Sequence, residues 1–149
     1  MLAFGIGHVL YITSMAIRFP GYEMNLLWSA LGSAAIVGVM FLVCVYAMKM
    51  QFGKFLIPSI AYAFLLCWFV VLSATYVKPA QGSASAGILL AGAILFVLSD
   101  MVLSMTYFSK PADYERKGML NPESRLMIIV NHATYYLAQF LIALSLLFI

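Results

Sequence analysis

Nearly the whole chain consists of apolar runs about as long as a bilayer is thick, broken by short polar stretches that hold most of the charge. A helix rises about 1.5 Å per residue, so roughly 20 mostly apolar residues cross the hydrocarbon core of a membrane. Five segments reach or approach that length: Met1 to Ile17, about Met24 to Ala47, about Phe55 to Val77, about Ser85 to Phe108, and about Leu126 to Ile149. The first is short and apolar from its first residue, as though its beginning were missing. Lipid offers no hydrogen-bond partners, so an apolar span this long satisfies its backbone as a helix. The expected fold is therefore all-α, a polytopic transmembrane helical bundle of about five spans forming one domain over residues 1–149. Composition requires the same solvent: 65% of the 149 residues are apolar and 9% charged, against about half and a quarter in soluble domains. A soluble chain this short has too little interior to hide so much apolar surface.

The polar stretches set the boundaries. Glu23 and Lys49 bracket the second run, Lys54 and Lys78 the third. Pro58 falls in the first turn of the third run, where proline costs little. The only long polar loop is Ser109 to Arg125, in which Pro111, Gly118 and Pro122 read as breakers. The loops holding Lys49, Lys54, Lys110, Arg116, Lys117 and Arg125 share one face, and Arg18 and Lys78 lie on the other. By the positive-inside rule the face with six basic residues is cytoplasmic. The net charge of +3 comes from basic residues between spans; nothing suggests a nucleic-acid patch. Cys44 and Cys67 fall inside spans, which gives neither a disulfide framework nor metal-ligand spacing. The opening residues lack the basic n-region of a signal peptide, and His8 interrupts their apolar run.

An acid within a span calls for a reason. A charged side chain near a helix centre costs roughly 2.5–3.5 kcal/mol on insertion scales, and intramembrane acids mark functional sites by default. Asp100 lies eight residues from the end of its run at Phe108, about 12 Å deep and too far to snorkel. His132, with Asn131 beside it, and His8 lie at a similar depth from the same face. Asn131, Tyr135 and Gln139 recur at i, i+4 and i+8, sharing one helix face that His132 and Tyr136 flank. Such a stripe turns toward protein or a wet pocket. Asp100 is therefore expected to face the bundle interior, with Asn131, His132 or Tyr135 as its partner. The competing reading makes these groups interhelical glue. Gly5, Gly7, Gly87 and Gly92 are expected to permit close packing of helices. No GxSxG, HExxH or CxxC occurs, which argues against a serine or zinc hydrolase. One acid and no arginine within a span argue against a voltage sensor or a conventional ion pathway.

Three strings carry a resemblance: GHVLYI in the first span, GAILFVLSDMVLS in the fourth and TYYLAQFLI in the fifth. In this order they resemble the YhhN family of lysoplasmalogenases over essentially the whole chain. That family has about eight spans, and this chain is similar to the last five. The resemblance thus implies that N-terminal helices are lacking, among them one that bears a second intramembrane aspartate in relatives. Activity of this chain would then depend on whether those helices contribute. The implied reaction is hydrolysis of the vinyl ether bond of a lysoplasmalogen to a fatty aldehyde and a glycerophospho-base, with no metal and no cofactor. Asp100 would serve as the acid, and His132 or His8 would activate water. Asn131, Tyr135, Tyr136, Gln139 and Tyr11 would orient the substrate. The expected partners are a lysophospholipid and membrane lipids, without nucleic acid, in a bacterial inner membrane or a eukaryotic endomembrane. The alternatives are a small transporter using Asp100 as its titrating group and a non-catalytic membrane partner protein. Aldehyde release separates the first reading from both.

Overall fold

A computed structural model describes residues 2–18, 26–77, 84–115, 118 and 121–148. The helices are α1 (Leu2–Arg18), α2 (Leu26–Leu42), α3 (Leu56–Val77), α4 (Ala84–Phe108), the short α5 (Pro111–Tyr114) and α6 (Arg125–Ser145). A π turn at Val43–Ala47 extends α2, a 3-10 turn at Gly53–Phe55 precedes α3, and another at Leu146–Phe148 follows α6. No strand occurs among the described residues. Residues 26–47, 53–77, 84–108 and 125–145 are long and apolar enough to cross a membrane. The first apolar run is a helix too, but at 17 residues it is the shortest of the five. Lys78, Arg116 and Lys117, used in reading the orientation, lie outside the described residues.

The bundle exposes large apolar side chains on its outside, as expected when lipid is the solvent, and sets a few polar side chains among the apolar residues of its interior. Leu27, Trp28, Val39, Ile57, Ile129 and Phe140 are all more than half exposed. Among the described residues the buried polar side chains are His8 and seven serines, Ser29, Ser33, Ser59, Ser73, Ser85, Ser99 and Ser145. A serine adds little bulk at a helix contact and can return its hydroxyl to its own backbone. Ser33 bonds Ser29 O at 2.7 Å and Ser73 bonds Phe69 O at 2.8 Å. Two further bonds join helices: Trp68 Nε1 donates to Ser29 Oγ at 2.9 Å, and Ser85 Oγ donates to Ser145 O at 2.8 Å.

The tightest crossing joins α4 to α6. A Cβ at Gly92 would lie 2.9 Å from Ile142 Cγ1 and 3.1 Å from both Ala138 O and Ile142 N. Ala86, Ala93 and Ala138 are fully buried around it. The expected role of glycine in packing therefore holds at Gly92. It does not hold at Gly7 or Gly87, where nothing lies within 4 Å of an added Cβ, and Gly5 meets only Leu65 at an ordinary 3.7 Å. Gly7 and Gly87 face open space, and Gly5 lies against α3 without crowding it.

At the other end of α4, the linker between α2 and α3 folds back over the bundle. The π turn widens the end of α2, with Met50 N–H donating to Cys44 O at 2.9 Å. Lys49 then takes a left-handed φ of 54°. Gln51 N–H donates to Phe108 O at 2.8 Å, and the Phe52 ring packs between Phe41 and Phe108 at 5.1 and 4.6 Å. This stitch brings Lys49 and Lys54 to the end of the bundle where α4 finishes. The loop after α4, read as irregular, contains α5. Pro111 starts that helix instead of breaking it, because its fixed φ and missing N–H suit a first turn, and Asp113 Oδ2 accepts from Lys110 N–H at 3.2 Å.

Candidate functional site

Ser99 and Asp100 are consecutive on α4, so their side chains point about 100° apart around the helix. One reaches α6 and the other α3. Ser99 Oγ donates to Asn131 Oδ1 at 2.9 Å. Tyr62 of α3 donates its hydroxyl to Asp100 Oδ2 at 2.5 Å. The partner expected from the last span is thus supplied by the third, and Asn131 takes up the neighbouring serine. Because Ser99 engages its amide oxygen, the NH2 of Asn131 is turned to the other side of the group.

These pairs stand on the wall of a partly open cavity of about 610 Å³, within the roughly 300–1,000 Å³ range of small-molecule pockets. α2, α3, α4 and α6 line it, with Phe4 contributed by α1. At the bundle end it is bounded by Phe41, Phe52 and Phe108; on the deeper side it reaches Leu66, Cys67 and Val97. The wall is mainly apolar and aromatic, and among the described residues Asp100 is its only carboxylate.

Of the other residues singled out in the sequence, Asn131, His132, Tyr135 and Tyr136 line the same cavity. His132 Nδ1 lies 2.8 Å from Ile128 O. A carbonyl only accepts, so Nδ1 carries a proton, and in the neutral ring Nε2 is the acceptor. His8 uses the same device, with Nδ1 2.8 Å from Phe4 O, but it is buried behind the cavity wall. The rings of Phe96, Phe69, Tyr11 and Tyr62 surround it with centroids at 4.7, 5.8, 5.9 and 6.1 Å. Its Nε2 has no partner. Tyr11 and Gln139 also lie away from the cavity, where Tyr11 donates to Gln139 Oε1 at 3.2 Å and joins α1 to α6. Their polar stripe does turn inward, yet its deep end serves packing. Among the described residues no three His, Cys, Asp or Glu side chains come together as a metal site would require.

Tyr62 escaped the reading of the sequence because α3 carries no charge and looked featureless. A signal was there: six residues into α3, it lies about 9 Å deep, close to the level of Asp100.

Apolar spans facing outward, serines facing inward and one acid on an interior cavity define an integral membrane protein with a polar site inside its helical bundle. The chain belongs to the YhhN family, whose sequence pattern matches it over residues 1–146. No curated protein and no solved structure matches it.

Proposed function

We propose that the chain hydrolyses the vinyl ether bond of lysoplasmalogens, releasing a fatty aldehyde and a glycerophospho-base. The observation that carries this reading is Asp100, an acid paired with the Tyr62 hydroxyl on the wall of a mainly apolar cavity between membrane spans. Family membership agrees with it. The reaction needs an acid that can be held neutral, a positioned water and room for one alkyl chain.

In this reading the Asp100 carboxyl delivers its proton to the vinyl carbon that does not carry oxygen. The π electrons form the new C–H bond, and positive charge is left on the other carbon and the ether oxygen. Tyr62 keeps its hydrogen bond on the new carboxylate, which stands beside that charge. Water held by the Asn131 amide adds to the cationic carbon. Its surplus proton returns to Asp100, directly or by way of Nε2 of a neutral His132, and so restores the acid. The hemiacetal hydroxyl then loses its proton as its oxygen becomes the aldehyde C=O, the bond to the glycerol oxygen breaks, and that oxygen takes up a proton in exchange. Tyr135 and Tyr136 bound the alkyl chain. The substrate approaches from the leaflet, its head group toward the basic end of the bundle, the end taken as cytoplasmic.

The test is aldehyde release from lysoplasmalogen by the purified chain in detergent. Asp100→Asn, almost isosteric and still able to hydrogen-bond, should keep the fold. It should lose about 10²–10⁴-fold in rate, the usual contribution of acid–base catalysis. A purely packing role for Asp100 would leave the rate within a few-fold. A transporter or a non-catalytic partner would release no aldehyde from either protein.

A further inference from the structure

Of the seven buried serines among the described residues, six use their hydroxyls. Ser29, Ser33, Ser73 and Ser145 donate to carbonyls of their own helices, Ser85 donates to Ser145 O, and Ser99 to Asn131. Ser59 is the exception. It is 6% exposed, its Oγ has no partner, and it lies on the cavity wall three residues before Tyr62 on α3. A buried hydroxyl with no partner is costly to keep. Rotation about its single Cα–Cβ bond sweeps this one toward the cavity that its residue lines.

Resting on the reading above, we propose that Ser59 is a specificity determinant that hydrogen-bonds the glycerol hydroxyl next to the cleaved ether. The register supports the assignment. Three residues of helix place Ser59 about 4.5 Å nearer than Tyr62 to the bundle end where Lys54 lies. A lysoplasmalogen with its vinyl carbons at Asp100 and its head group toward that end carries its free hydroxyl about 5 Å along the same direction. A diacyl-type lipid has an ester oxygen and a second chain at this point, and can neither donate the bond nor fit beside Ser59. The hydroxyl thus reports that only one chain is present.

The test compares the full chain with Ser59→Ala and Ser59→Thr in detergent. The substrates are a 1-alkenyl lysophospholipid and its 2-deoxy analogue, in which hydrogen replaces the glycerol hydroxyl. The unaltered protein should favour the hydroxyl substrate about tenfold in kcat/KM, the worth of one neutral hydrogen bond. Ser59→Ala should bring that ratio close to one by slowing the hydroxyl substrate alone. Ser59→Thr should keep most of the preference. The melting temperature of Ser59→Ala should match or exceed that of the parent, since no partner is stranded. An unchanged ratio in Ser59→Ala overturns the assignment while leaving the hydrolase reading standing. A Ser59→Ala protein that fails to fold makes the residue a packing contact and overturns it too. Absence of aldehyde from both substrates with the unaltered protein removes the hydrolase reading, and the assignment with it.

Discussion

The two halves of α4 use opposite chemistry. From Ala84 to Phe96 the helix presents Ala86, Gly92 and Ala93 to α6, and the two backbones approach until no Cβ fits at Gly92. From Val97 to Phe108 it presents Ser99, Asp100 and Ser104 to a cavity. Helices in lipid associate through close packing and hydrogen bonds, because surrounding tails are as apolar as leucine. The closed half supplies the close packing, and that anchorage permits the open half to hold a space with a carboxyl group in it. Stability should therefore depend on size in the first half, and activity on functional groups in the second.

The largest effect expected is at the closed half. Gly92→Leu drives a side chain into Ile142 and the α6 backbone; overpacking costs about 1–3 kcal/mol or more where backbone is the obstacle. The variant should be lost as a monodisperse species in size-exclusion chromatography. Asp100→Asn should give the reverse pattern, with the chromatographic profile retained and the activity gone. If Gly92→Leu stays folded and Asp100→Asn does not, the assignment of the two halves is backwards.

Tyr62→Phe sharpens the comparison inside the open half. It removes only the hydroxyl that bonds Asp100 Oδ2, and a hydrogen bond to a charged group is worth about 1.5–3 kcal/mol. The rate should fall by about 10–100-fold with KM little changed, since the bond matters most when Asp100 has delivered its proton. A change confined to KM would make Tyr62 a wall residue. Ser85→Ala returns to the closed half with the smallest change. The bond to Ser145 O is lost, and interhelical bonds of this kind average about 0.6 kcal/mol. A slight drop in melting temperature at unchanged activity is expected; a large one would make this bond, not Gly92, the anchor of the seam.

Much of this division could be read from residues alone, because length and hydropathy act locally. The four longer runs came within a few residues of their helices, and Asp100 stood out since lipid tolerates acids poorly. What the sequence concealed depended on which helix faces which. Asn131 was matched with Asp100 by depth, but the 100° step between Ser99 and Asp100 sends the acid to α3 and the serine to α6. Equal depth likewise grouped His8 with His132, although rings enclose one and the cavity receives the other. Gly87 and Gly92 look alike as sequence, and only the crossing point distinguishes them. Pro111 does stand where α4 has stopped, and it also opens α5, since a breaker within a helix is a starter at its first position.

The buried hydroxyls also bear on how the protein is made. A helix leaving the translocon enters lipid before its later neighbours exist. Ser33 and Ser73 bring their acceptors with them, since each bonds its own helix. Asp100 needs only α3, which is already synthesised when α4 emerges. Ser99 and Ser85 must wait for acceptors 32 and 60 residues further along the chain, both supplied by α6. α4 is therefore half-satisfied on insertion, its acid partnered and its small-residue seam bare. α6, translated later, completes it, so closure of the seam and completion of the cavity wall by Asn131 and His132 become one event in biogenesis.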